Sequence, residues 1–342
     1  MSFRFPDRED RRNIIAQSCW AQVGECGGRL RAWPDTAAHS TIDGTYDPRG
    51  GMPLNRSVAG LCFVIAILAV IVAGVGLFWG GDGDRVEFET PRGDTVRLYG
   101  EGLYRYDTVF MGSGNRGVDG AILLFGVPLL IAALLVYVRA PRRGGLLLLA
   151  PLAYLLYAYA SIAFGAAYNV LFLPYVVLLG ASLFAFVTLL AEVLAAGPPE
   201  ASLERLPRRG LAGFLFVGAM LTLFVWGEPL VSGLVRNRPP LLLDSYTTMV
   251  TYALDLAVIT PATFLAAALV LRRRWLGYVI AVPLLGILAL LLPQIIAQTL
   301  SQLRAGVELS PAQIVGPVAG FAILGGAAVV FLGAILARLG RR

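Results

Sequence analysis

The 342-residue sequence predicts an all-α polytopic membrane protein: about eight transmembrane helices, with a small extracytoplasmic β-hairpin cap between the first and second. Three observations carry this prediction. Charged residues make up 15% of the chain and hydrophobic residues 57%, whereas a soluble domain is about a quarter charged. The apolar residues gather into blocks of roughly twenty or more, the length that crosses about 30 Å of hydrocarbon. Arginines cluster between alternate blocks, which is how charge sets orientation in a bilayer.

Residues 1–56 are polar, weakly periodic and rich in Gly and Pro. They read as a disordered cytoplasmic tail, or as a mis-assigned start with translation beginning at Met52. No apolar core precedes a cleavage site, so the stretch is not a signal peptide. Cys19 and Cys26 fit no strong ligand spacing and read as incidental thiols. Residues 57–342 form the transmembrane domain. Its spans are expected at about Ser57–Trp79, Asp119–Val138, Leu146–Ala167, Val170–Ala191, Gly210–Val231, Thr251–Leu271, Trp275–Leu300 and Ala312–Leu339.

Orientation follows from the arginines. Arg139, Arg142 and Arg143, then Arg205, Arg208 and Arg209, then Arg272–Arg274, then Arg338, Arg341 and Arg342 occupy alternate connections and the end of the chain. Both termini are therefore expected in the cytoplasm of a cell-membrane protein. The loop 80–118 lies on the other side. Its stretch VEFETPRGDTVRLYGEGLYRYDTVF alternates and is rich in Val, Thr, Tyr and Phe, with a turn at Pro91–Asp94. It reads as a β-hairpin or three-stranded cap, followed by MGSGNRGVDG as a flexible lead into the second span.

Each half reads as span, outside loop, span, Arg cluster, span, short turn, span. The VPLL strings at Val127–Leu130 and Val282–Leu285 fall in non-equivalent spans, so the sequence makes a poor case for a four-plus-four duplication.

Composition also excludes chemistries. Every basic residue is Arg, so neither a Walker-type phosphate loop nor a lysine Schiff base can form. The single His, His39, lies outside the spans, which removes His-dependent triads, zincin sites and bis-His haem from the membrane part. The net charge of +6 is absorbed by topology, without a nucleic-acid motif. No catalytic residue, cofactor or metal is assigned, and the partner common to every reading is the lipid bilayer.

Polar groups within spans are costly and therefore informative. Asp255 sits about one turn inside the outer end of the sixth span. It is either a proton, cation or substrate site, or an interfacial carboxylate bonded to Thr251 or Tyr252. Gln294, Gln298 and Gln302 share one face of the seventh span, for ligand contact or for interhelical hydrogen bonds. Tyr154, Tyr157, Ser161, Phe164 and Tyr168 form a stripe on the third span, ending beside Asn169. Glu228 is expected at the depth of Asp255. Asp255, Glu228, Gln294, Gln298, Tyr168 and Asn169 thus form a candidate polar pocket open to the outside, with nothing comparable at the inner end.

Weaker signals are Asp82 and Asp84 in a Gly-rich loop with Glu101, and Gly112-Ser113-Gly114, which lacks a base. Gly316 and Gly320 form a GxxxG expected to bring helices close. Three functions follow as expectations. The first is a small-solute transporter or the membrane subunit of a larger complex. The second is an enzyme acting on a lipid-linked substrate at the outer face through Asp82, Asp84 or Glu101. The third is a sensor or scaffold whose 80–118 loop recruits a protein partner.

Overall fold

The computed structural model describes residues 52–339 apart from 82, 91, 199–202 and 205. Expectations for residues 1–51, Asp82, Pro91, Arg205, Arg341 and Arg342 lie outside the described residues.

Eight helices are long and apolar enough to cross a membrane. They are α1 (Arg56–Phe78), α2 (Val109–Arg139), α3 (Pro141–Gly165), α4 (Phe172–Ala195), α5 (Arg209–Arg236), α6 (Val250–Leu271), α7 (Trp275–Arg304) and α8 (Pro311–Leu339). Between α1 and α2, strands β1 (Glu87–Glu89) and β2 (Thr95–Arg97) pair antiparallel, with Phe88 opposite Val96. Gly93 supplies the positive φ of 86° in the turn. A single bridge, Leu98 to Thr108, extends the hairpin, so the third strand is reduced to one pair.

The largest departure from expectation is the start of α2. Met111–Gly120, expected to be a flexible lead, is helical, and α2 begins at Val109 rather than at Asp119. Thr108 caps it, its Oγ1 accepting from Met111 N. The glycines that argued against a helix are what admits its neighbour. A Cβ on Gly117 would lie 2.4 Å from Gln298 Cα on α7, so close packing outweighs the helix propensity lost at glycine.

α3 and α7 form the centre. Of α3's apolar stretch 72% is buried, and of α7's 50%, against 17–39% in the other six. They touch where a Cβ on Gly286 would sit 2.4 Å from Ala150 Cβ. Around them the packing repeats. α1 packs on α2, α2 on α3 and α3 on α4; α5 packs on α6, α6 on α7 and α7 on α8. Contacts between the halves also exchange: α7 meets α2 and α4, while α3 meets α6 and α8. Each half has a tight helical turn closed by a glycine, Gly144 against Tyr137 N at 2.2 Å and Gly277 against Val270 N at 2.6 Å for an added Cβ. A four-plus-four plan is therefore matched in part by the packing, and broken by α1, which also packs along α4, whereas α5 meets α8 at Phe214 and Phe331. Having four helices per half, the two repeats run the same way through the bilayer.

The second and sixth helices share a further device. Proline offers no N–H to the helical ladder, and two residues before each of Pro128 and Pro261 a π-helical segment ends: Ile122–Gly126 in α2 and Asp255–Ile259 in α6. Val127 N bonds back to Ile122 O and Thr260 N to Asp255 O. Such segments are frequent at functional sites. Among the described residues nothing lies within 4 Å of a Cβ built on Gly316 or Gly320, so the GxxxG of α8 brings no other helix of this chain close.

Candidate functional site

The hairpin end of the bundle holds the densest polar network, centred on an acid that sequence reasoning used only as a span boundary. Asp119 is 0% exposed. Its Oδ2 accepts from the Tyr104 hydroxyl at 2.8 Å, and its Oδ1 has no hydrogen-bond partner among the described residues. The carboxyl fills a notch on α1, where a Cβ on Gly76 would lie 1.9 Å from Oδ2. Arg116, one turn earlier, also feels this charge. Its guanidinium donates to the Tyr99 hydroxyl at 2.9 Å and to Leu77 O at 2.8 Å.

Tyr154 and Tyr159 of α3 and Tyr175 of α4 surround this acid closely enough to feel it. All three are buried, and among the described residues their hydroxyls make no hydrogen bond of good geometry, although Tyr175 lies near Tyr104 and Asn169. Each orphaned hydroxyl costs about 1–3 kcal/mol, and an uncompensated carboxylate several more. Packing alone does not account for a ring of polar groups left so poorly satisfied.

A second acid lies closer to the surface. Asp107 is buried, its Oδ1 accepting from Ala167 N at 2.8 Å and from the Tyr246 hydroxyl at 2.7 Å, while Oδ2 has no partner. Burial pushes its pKa up to about 6, against the opposing pull of those two donors. The same burial, with Asp107 alongside, holds the Tyr246 hydroxyl above its ordinary value. Tyr246 also accepts from Thr108 N at 3.3 Å, and Thr108 Oγ1 donates to Asp244 Oδ2 at 3.0 Å. Burial raises the Asp244 carboxyl as well, with Thr108 acting against it. Arg92, from the hairpin turn, donates to the carbonyls of Asp244 and Tyr246.

Above these residues opens a cleft of about 410 Å³ between hairpin and helix ends, lined among others by Arg85, Glu87, Arg97, Thr108 and Asp244. Polar side chains lead from the cleft inward as hydrogen-bonded pairs, Thr108 with Asp244, Tyr246 with Asp107 and Tyr104 with Asp119, and Tyr175 is within reach of the charges of both Asp107 and Asp119.

The expected pocket is only partly assembled. Asp255 is buried, and its carboxyl is approached by Tyr157 of α3 and Trp226 of α5 rather than by Thr251 or Tyr252. Trp226 packs on Tyr252, ring centroids 4.4 Å apart. Glu228 is exposed, and Trp226 is the residue that α5 brings to Asp255. Tyr168 is 79% exposed and packs on Phe172, so it leaves the site, whereas its neighbour Asn169 is buried beside Tyr175. Gln302 donates to Phe110 O at 3.2 Å, and Gln298 packs on Gly117. The glutamine row thus ties α7 to the start of α2, while buried Gln294 has an Oε1 without a partner. Asp84 is exposed and Glu101 half-buried, and no group of three metal-ligating side chains occurs among the described residues.

The arginine-rich end is not empty of polar structure either. Asn55 caps α1 through Ser57 N, at 2.8 Å, and Val58 N, at 3.1 Å. Its amide also donates to Glu192, and its backbone N–H donates to the buried Tyr137 hydroxyl at 3.1 Å. These contacts join α1, α2 and α4.

The signal in the sequence that points to the first site is the run Tyr99, Tyr104, Tyr106 and Asp107 leading into MGSGNRGVDG, which itself carries Asp119. Reading that stretch as flexible hid it. Comparison with protein-family models, with curated proteins and with solved structures returns no match.

Proposed function

We propose that this chain is a multi-pass protein of the cell membrane that carries a small polar solute, with both termini cytoplasmic and the hairpin outside. The observation that supports this most is the set of hydrogen-bonded polar pairs leading from the cleft to Asp119. Acids and orphaned hydroxyls buried at membrane depth are expensive, and they recur where polar cargo or ions pass. The cleft is rimmed by Arg85 and Arg97 as well as Glu87 and Asp244, a mixture suited to a solute bearing both charge signs. The π segments of α2 and α6, each just ahead of a proline, add the local irregularity that is frequent at functional sites.

The test is thermal stabilisation of the purified protein by a panel of amino acids, sugars and nucleosides, followed by uptake into proteoliposomes. At least one compound should stabilise the wild type and not Asp119→Asn. A panel without effect on either protein would remove the reading. Reporter fusions after Arg274 should read as cytoplasmic.

A second reading, recruitment of a protein partner, is favoured by one observation. Val86, Phe88 and Tyr106 are 57%, 43% and 60% exposed on the loop outside the bundle. Phe88→Ser should then release a co-purifying protein while leaving the helices inserted.

A further inference from the structure

The second helix of each half carries one buried acid near a π segment that ends two residues before a proline. Asp119 lies one turn ahead of the π segment of α2, and Asp255 opens that of α6, so the two are neighbours of the same device without being equivalent. Each is approached by a tyrosine hydroxyl, Tyr104 donating to Asp119 and Tyr157 of α3 meeting Asp255.

We propose that Asp119 and Asp255 are paired proton-binding sites, one in each half, with Asp119 loaded from the cleft through Asp107. This rests on the solute-carrier reading and names the ion that accompanies the solute. The groups facing Asp119 are Arg116 on its own helix, Tyr104 from the loop, Tyr154 and Tyr159 from α3 and Tyr175 from α4. Those facing Asp255 are Tyr157 from α3, Trp226 from α5 and, packed on that indole, Tyr252.

The chemistry of these surroundings is that of proton exchange. A fixed ion pair would present a guanidinium fork to the carboxylate, but the Arg116 guanidinium donates elsewhere. A hydroxyl, which donates or accepts as required, bonds Asp119 instead, that of Tyr104, with Tyr154, Tyr159 and Tyr175 within reach of its charge. One carboxyl oxygen of Asp119 and one of Asp107 are left bare, which is where a carboxylic acid proton resides. Between cleft and Asp119 the hydrogen-bonded pairs Thr108–Asp244, Tyr246–Asp107 and Tyr104–Asp119 each hold a hydroxyl that can give one proton to its carboxylate and take up another, breaking one O–H bond for each it forms.

The test is infrared spectroscopy of the full chain in phospholipid vesicles, titrated with pH and read at the carbonyl stretch of a protonated carboxyl. Because Asp107 contributes its own band, the bands are assigned in an Asp107→Asn background, and the protein with Asp107 intact is compared with it for the rate at which Asp119 exchanges its proton, which should be faster with Asp107 present. That background should lose two carboxyl bands as pH rises, Asp119→Asn should remove one, Asp255→Asn the other, and the double variant both. Tyr104→Phe and Tyr157→Phe, which leave each carboxyl in place, should each move one band, so a misfolded Asn variant does not decide the matter. Spectra unchanged by either Asn variant, or a single band serving both, overturn the proposal. Bands present without any stabilising solute leave the proton sites standing and remove the carrier reading; a stabilising solute without the bands does the reverse.

Discussion

The two halves of this molecule follow one packing plan and finish it differently. In α1–α4 the helix carrying the acid is preceded by an ordered hairpin and loop, and Asp119 is sealed beneath Tyr104. In α5–α8 the corresponding connection is short, a 3-10 turn at Leu241–Leu243, and Asp255 keeps some access. The frame of each half is set by small residues that let backbones touch. The chemistry is set by what closes the hairpin end.

That comparison can be broken or sharpened experimentally. The largest effect is expected at the frame. Gly144→Ala and Gly277→Ala each force a methyl group into the backbone of the preceding helix and should cost about 3 kcal/mol apiece, read as loss of thermal stability in detergent. A large loss at one turn with none at the other would break the equivalence of the halves. Next is Tyr104→Phe, which strips Asp119 of its hydrogen-bond donor and should cost about 1–3 kcal/mol. Tyr157→Phe should cost less, because Asp255 keeps the Trp226 indole.

Third is the pH response of the loop in the first half. With its pKa raised to about 6 from the ordinary carboxylate range, Asp107 binds its proton more tightly in the folded protein. It therefore favours the folded state at low pH. Stability should fall as pH rises from about 4 to 6 and then level off, by a few kcal/mol at most. Asp107→Asn should flatten that slope. Smallest are changes to open surfaces: Gly320→Leu and Glu228→Gln should each shift stability by no more than about 0.5 kcal/mol.

The helices were legible because lipid imposes length and hydropathy on each span independently of its neighbours, and the hairpin was legible from its alternation. The start of α2 was not. Propensity counts against four glycines in Met111–Gly120, and the benefit of Gly117 exists only once Gln298 is alongside. The site divided along the same line. Asp255 announced itself as a charge within an apolar run. Asp119 sits at the edge of one, where sequence alone cannot distinguish a buried acid from an interfacial one. Glu228 and Tyr168 lie near the right depth but face outward, and small errors in helical phase decide such cases. The four-plus-four plan was obscured because it resides in which helices touch, while the matching VPLL strings pointed to the wrong pair.

The vacancy at Gly76 offers a way to interrogate the buried acid without altering any polar atom. Since Asp119 occupies the volume that a methyl group there would claim, Gly76→Ala acts as a steric plug. The carboxyl must leave its seat among the tyrosines while the sequence keeps every titratable group. Whether the charge matters by its presence or by its placement then becomes a question that one carbon atom can answer.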